Sequence, residues 1–368
     1  MNLSGTSIGS TPRTAGISQL GRYKLIQLLG IGGMAEVFKA RCASPGGIDR
    51  TVVVKRILPV HCRDPEFVRM FVAEAQLLGL LDHPNVVQAY DLGEFEGTLF
   101  MVLEYVDGPS LSRVMSTLRS AGRQMPVVAA AHFALEVCRA LDHVHTLKGG
   151  DGEALNVIHR DVTPSNILLT QSGGIKLLDF GVAKYRASQA LSVEGTVKGK
   201  PAYLAPEALE AKAIDSRVDI FSLGIVLHEI LTLQSLFESD SQVLTFRKIL
   251  ELPIAPPSSI RADVPPALDA IVMKALDRDL NRRYQTANEM AADLNRFVVE
   301  QRLRMDLVCA FVRDVRTKMV PARFPPTPAP TPRDRTSQKS TKRYKNPLSL
   351  GARLRRFFFR TAGSNLRN

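Results

Sequence analysis

The feature that most constrains the fold of this chain is a change of hydrophobic period part-way along it. Early segments alternate apolar and polar residues in short runs, YKLIQLL, AEVFKAR and TVVVKRIL, separated by glycine-rich or polar turns. From Asp64-Pro65 the spacing becomes helical, with a capping aspartate followed by proline at the first helical position. After TLFMVLEYV the helical pattern dominates, as in VVAAAHFALEVCRALDHVH, and NILLT and IKLLD flank SGG as a short hairpin. Strands first and helices afterwards imply an α+β arrangement, a small sheet lobe followed by a larger helical lobe. The 368 residues suffice for one large two-lobed domain or two ordinary ones, and no internal repeat is visible.

Several classes are excluded early. The four cysteines, Cys42, Cys62, Cys138 and Cys309, are scattered with no CxxC pair, which argues against a disulfide framework or a zinc site and fits a reducing cytoplasm. No apolar run approaches the ~18 residues of a membrane span. The best candidate, IFSLGIVLHEILTL at 220–233, contains His228 and Glu229 and reads as a buried helix. Residues 1–20 lack the apolar centre of a signal peptide, and their Ser, Thr and Gly content reads as a mobile arm. Of the net charge of +12, +11 lies in residues 321–368, so charge describes the tail and not the folded part.

Three segments bear chemistry. LGIGGMAEV at 29–37 offers backbone N–H groups able to cradle phosphates, although such a match alone is more often a hairpin turn. TVVVK ends in Lys55, which the strand alternation points inward. On the next helix Glu74 falls within the apolar stripe of Phe67, Met70, Phe71, Leu77, Leu78 and Leu81. A buried carboxylate needs a partner, and Lys55 is the natural one; an edge position reaching solvent is the alternative.

Added to these, HRDVTPSN at 159–166, LLDFG at 177–181 and LAPE at 204–207 make the sequence resemble the eukaryotic-type protein kinase family over residues 21–300. The phrasing of IGGMAEVFKA, HRDVTPSN and GKPAYLAPE is most similar to bacterial serine/threonine kinases. The resemblance implies the two-lobed kinase fold, ATP and Mg2+ as cofactors, and protein substrates. It implies a phosphate-covering loop of Gly30, Ile31, Gly32, Gly33, Met34, Ala35 and Glu36, with Leu29 and Val37 roofing the adenine and Leu168 closing it from below. Lys55, positioned by Glu74, would hold the phosphates, and Glu104-Tyr105-Val106 would meet the adenine edge beside Leu103. Asp161 would orient the substrate hydroxyl, and Asn166 and Asp179 would bind magnesium. Glu207 is expected to pair with Arg283, and Asp219 to brace the catalytic loop.

Two positions depart from the family pattern. Where serine/threonine members carry lysine two residues after the catalytic aspartate this chain has Thr163, and where the later segment carries threonine it has Lys200. The exchange looks reciprocal, with a cation kept beside the transferring phosphoryl but delivered from the other wall of the cleft. A nucleotide-binding scaffold without transferase activity, acting through its tail, is the rival expectation. Arg160 beside the catalytic aspartate implies control through Ser188, Ser192 or Thr196, with Glu194 supplying charge among them; plain solvated loop residues are the alternative.

The expected organisation is an arm at 1–20, a kinase domain at 21–302, a helical extension at 303–320 and a proline-rich linker and basic tail at 321–368. In the extension Leu307, Phe311, Val315 and Met319 are expected to pack on the end of the domain. SLGARLRRFFFR at 349–360 suits a basic amphipathic helix on an anionic membrane or an acidic protein. Non-specific nucleic-acid contact or a disordered solubilising tail also accounts for the charges, but specific nucleic-acid recognition is not expected. The expected location is cytoplasmic, peripheral to the membrane if the tail anchors there.

Overall fold

The alternating segments build one antiparallel sheet. In the computed structural model, which describes residues 19–43, 49–180, 200–210 and 213–319, its strands are β1 (Gln19–Leu20), β2 (Tyr23–Ile31), β3 (Ala35–Cys42), β4 (Arg50–Ile57), β5 (Ala89–Phe95) and β6 (Thr98–Glu104), in the order β1-β2-β3-β4-β6-β5. The two-residue period sorts side chains between two cores. Phe38, Val52, Val54, Phe100 and Val102 fill a small core on one face. The other parity, Ala35, Ile57, Met101 and Leu103, joins the main core shared with the helices. A slip of one residue in β4 would exchange the two sets, so the register is strongly fixed.

Helix α1 (Pro65–Leu80) starts where the sequence places it, with Asp64 Oδ1 accepting from the Glu66 N–H at 2.9 Å. The larger lobe comprises α2 (Leu111–Ser120), α3 (Val127–His145), the β7 (Ile167–Leu169)–β8 (Ile175–Leu177) hairpin, α4 (Pro206–Leu209), α5 (Arg217–Thr232), α6 (Gln242–Glu251), α7 (Pro266–Ala275), α8 (Ala287–Glu300) and α9 (Met305–Lys318). Every residue of α5 from Val218 to Leu231 is buried, as a helix apolar on all sides must be. Among the described residues no helix is long and apolar enough to cross a membrane.

Two expectations need correction. Leu20, assigned to the arm, is fully buried and pairs with Tyr23 at the sheet edge. In α9 Phe311 and Val315 are buried as expected, but Leu307 is 58% exposed and Val308 and Val312 complete the face. A stripe of repeated i+4 steps drifts about 40° per step around a helix, so only a mixed i+3 and i+4 stripe stays against one surface.

Candidate active site

Strand β4 sets Lys55 on the cleft-facing parity, cross-strand from Val37. Its Nζ lies 2.7 Å from Glu74 Oε1 on α1 and 2.8 Å from Asp179 Oδ1 just after β8. The Lys55 and Glu74 side chains are 13% and 7% exposed, whereas Asp179 at 45% opens to the cleft. Burial alone would lower the lysine, but the negative charges of Asp179 and Glu74 outweigh it and hold the ammonium above its ordinary range. Burial pushes the Glu74 carboxyl upward, and the Lys55 ammonium opposes that shift.

The loop 159–166 hangs from α5. Asp219, fully buried, accepts from the backbone N–H of His159 at 2.8 Å and of Arg160 at 2.7 Å, and its Oδ2 also meets His145 Nε2 at 2.8 Å. Burial alone would raise this carboxyl; the His145 hydrogen bond and the surrounding donors reverse it and keep the group below its usual value. Asn166 Nδ2 donates to the Asp161 carbonyl at 3.0 Å and to its Oδ2 at 2.6 Å, fixing the aspartate's rotamer. Arg160 (φ 63°) and Asp179 (φ 43°) adopt left-handed backbone, which non-glycine residues take at a cost and which clusters at functional sites.

Thr163 is buried, and Lys200 Nζ donates a hydrogen bond to Ser165 Oγ, whose hydroxyl also meets Ser112. An ammonium from the segment before α4 thus reaches the loop that carries Asp161. Downstream, Arg283 grips Glu207 through Nη1 at 2.7 Å and Nη2 at 3.2 Å.

The β2–β3 hairpin forms the glycine-rich loop, closed by the Gly32 N–H donating to the Ala35 carbonyl at 2.8 Å. Gly30 pairs with Val37 and Ile31 with Glu36, and Ile31, Gly32 and Gly33 are exposed at the tip with Met34 half-buried behind them. Ala35, in the third glycine place, packs in the core. Leu29, Val37 and Leu168 are half-buried. The Glu36 side chain points away from the cleft. It pairs across the sheet with Arg56, 2.5 Å away, and both are buried on the face opposite Lys55 and Val37. The strand alternation that brings Val37 to the cleft turns Glu36 away from it.

At the linker between lobes, Lys176 Nζ holds Glu104 Oε2 at 2.8 Å, Lys39 Nζ donates to the Tyr105 hydroxyl at 3.1 Å, and the Val106 carbonyl accepts from Gly108 N–H at 3.0 Å. His145 and Lys176 had no motif to flag them, and only the fold brings them to the site. Ser188, Ser192, Thr196 and the tail at 321–368 lie outside the described residues.

This architecture and cleft define a protein kinase: the protein kinase domain family matches residues 23–294, and the chain belongs to that family. The tyrosine-protein kinase MasK of Myxococcus xanthus is 40% identical over 283 residues, covering 76% of this chain and 43% of MasK. The serine/threonine-protein kinase PknB of Mycolicibacterium smegmatis is 38% identical over 337 residues, 87% of this chain and 51% of PknB. The chain therefore spans about half the length of these curated relatives. The crystal structure of the Mycobacterium tuberculosis PknI kinase domain superposes with a TM-score of 0.57 at 25% identity, covering 78% of this chain and 99% of that one.

Proposed function

We propose that this chain is a bacterial serine/threonine protein kinase that transfers the γ-phosphoryl group of ATP to protein hydroxyls. The observation that carries the proposal is the single ammonium of Lys55 gripped by both Glu74 and Asp179, in a cleft where Asn166 fixes Asp161. A non-transferring scaffold is not favoured, because it would have no use for this costly arrangement of partly dry charges.

Protein kinases as a family use ATP and Mg2+. The donor set suits a hard cation: the Asp179 carboxylate is half open, and Asn166, whose amide nitrogen serves Asp161, keeps its amide oxygen for ligation. When bound, Mg2+ supplies cancellation of phosphate charge, and Asp179 and Asn166 would hold it.

Lys55 orients the nucleotide's phosphates, and Glu74 keeps that lysine from swinging out. The glycine-rich loop, Ile31 and Met34 at its tip, covers the phosphates with backbone N–H groups and excludes water. Leu29 and Val37 above and Leu168 below bracket the adenine, and backbone groups of Glu104 and Val106 meet its edge. Asp161 Oδ accepts the proton of the substrate hydroxyl as that oxygen forms its bond to the γ-phosphorus, while the bond from that phosphorus to the β,γ-bridging oxygen breaks and ADP leaves. Lys200, hydrogen-bonded to Ser165 in the loop that carries Asp161, supplies the cation that stabilises charge growing on the transferring phosphoryl. Activation-segment phosphorylation at Ser188, Ser192 or Thr196, a cytoplasmic location, and attachment of the basic tail to an anionic membrane or an acidic protein are further parts of this proposal, resting on sequence alone.

The similarity to MasK, named a tyrosine-protein kinase, favours a second acceptor, the tyrosine hydroxyl. Incubation with γ-labelled ATP and a mixed protein substrate, followed by acid hydrolysis, separates the two. Phosphoserine and phosphothreonine are expected; phosphotyrosine alone would reassign the acceptor, and no label at all in a folded protein would defeat the proposal.

A further inference from the structure

We propose that α9, which lies beyond the residues matched by the family, braces the linker between the lobes, and that Arg316 is a positioning residue for nucleotide binding. This rests on the kinase reading of the cleft. One face of α9 is anchored by buried Val308, Phe311, Val312 and Val315. Its first turn packs on the β7–β8 hairpin, where Met305, Val308 and Cys309 crowd Gly173 so closely that a Cβ there would lie 3.0–3.3 Å from them. Asp314 joins Arg123, just past α2, at 2.5 Å.

From this fixed base the last turn reaches the linker. Arg316 Nη2 lies 2.8 and 2.9 Å from the two Asp107 carboxylate oxygens, and Nη1 donates to the Asp107 carbonyl at 3.3 Å. Gln171 Nε2, from the hairpin turn, donates to the same carboxylate at 2.9 Å. Asp107 follows Val106 directly. The next residue has no freedom either: a Cβ on Gly108 would lie 1.8 Å from the Leu169 carbonyl oxygen. The other end of the linker is held by Lys176 on Glu104. The backbone edge of residues 104–106 is therefore stretched between two fixed points, and one of them is α9.

An exposed ion pair contributes little to folding stability, so a merely structural role would leave almost no trace. A guanidinium fork on a rigid helix does fix direction, and its loss lets the linker edge wander before nucleotide arrives. Arg316→Ala should raise the KM for ATP about three- to tenfold while kcat stays within about twofold, because binding and not the transition state loses support. Unfolding temperature should not move. Hydrogen exchange at residues 104–108 in the nucleotide-free protein should quicken, with residues 52–57 unaffected. The charge swap Arg316→Asp with Asp107→Arg should recover most of the affinity lost in either single change. The inference is overturned by unchanged KM and exchange in Arg316→Ala, by a fall in kcat matching the rise in KM, or by a swap as weak as the single variants combined. If the wild-type protein transferred no phosphate the kinase reading would fail, yet the exchange measurement would still decide the brace.

Discussion

Replacing Arg283 with methionine should cost about 3–5 kcal/mol of folding free energy, the range for a buried charge stripped of its partner. The guanidinium is 0% exposed and the Glu207 carboxylate 5%, so water cannot substitute for either. Besides both carboxylate oxygens, the guanidinium serves the Asp277 carbonyl at 2.9 Å and the Arg217 carbonyl at 3.0 Å, and it lies 4.8 Å from the Phe221 ring centre. Methionine refills much of the volume, so the loss is electrostatic and not a cavity effect. The double variant Arg283→Met with Glu207→Leu should regain most of it, because no lone charge stays buried. Urea titrations at fixed m-value read both differences. A single variant within about 1 kcal/mol of wild type, or a double variant no better than the single, would refute the reasoning.

Lys200→Thr should lower kcat about 10²–10³-fold with little change in the KM for ATP, and Thr163→Lys with Lys200→Thr should recover activity beyond additivity; additive losses would mark the exchange as coincidence. His132 and His228 are kept neutral by burial, below the ordinary value of 6.5. The unfolded chain then binds more protons below that value, so stability present above it falls as pH drops, by up to about 1.4 kcal/mol per unit for each histidine. Urea midpoints unchanged between about pH 7.5 and 5.5 would contradict that assignment. Deleting residues 321–368 removes +11 of the net +12 and should leave transfer to a generic protein unchanged while weakening sedimentation with anionic vesicles; equal sedimentation would remove the membrane role.

Much of the fold was legible because its signals are local. The Asp64-Pro65 cap, the β4 alternation and the long stretch at 127–145 each became the element expected. Strand β5 was not singled out, since Asp91, Gly93 and Glu94 interrupt its alternation. Gly93 makes sense only in the sheet, where a Cβ would lie 2.6 Å from the Phe100 ring. In the site, Glu74 was legible as a carboxylate on an apolar stripe, a local contradiction that a distant lysine resolves. His145, Lys176 and Arg316 carried no such contradiction. Each is an ordinary polar residue near a helix or strand end until the fold brings it to Asp219, Glu104 or Asp107. The pairing of the Glu36 side chain with Arg56 was not legible while the glycine-rich stretch was read as one unit, because the strand turns alternate residues to opposite faces.

The most direct test of the account is the turnover of Asp161→Asn. The asparagine has the same shape and can still accept from Asn166 Nδ2, as Asp161 does at 2.6 Å, so the loop stays in place. It cannot take the substrate's proton. Transfer of labelled phosphate to a generic protein should fall about 10²–10⁴-fold in kcat, with nucleotide affinity and unfolding temperature preserved. A folded Asp161→Asn protein that transfers phosphate at close to the wild-type rate would contradict the account.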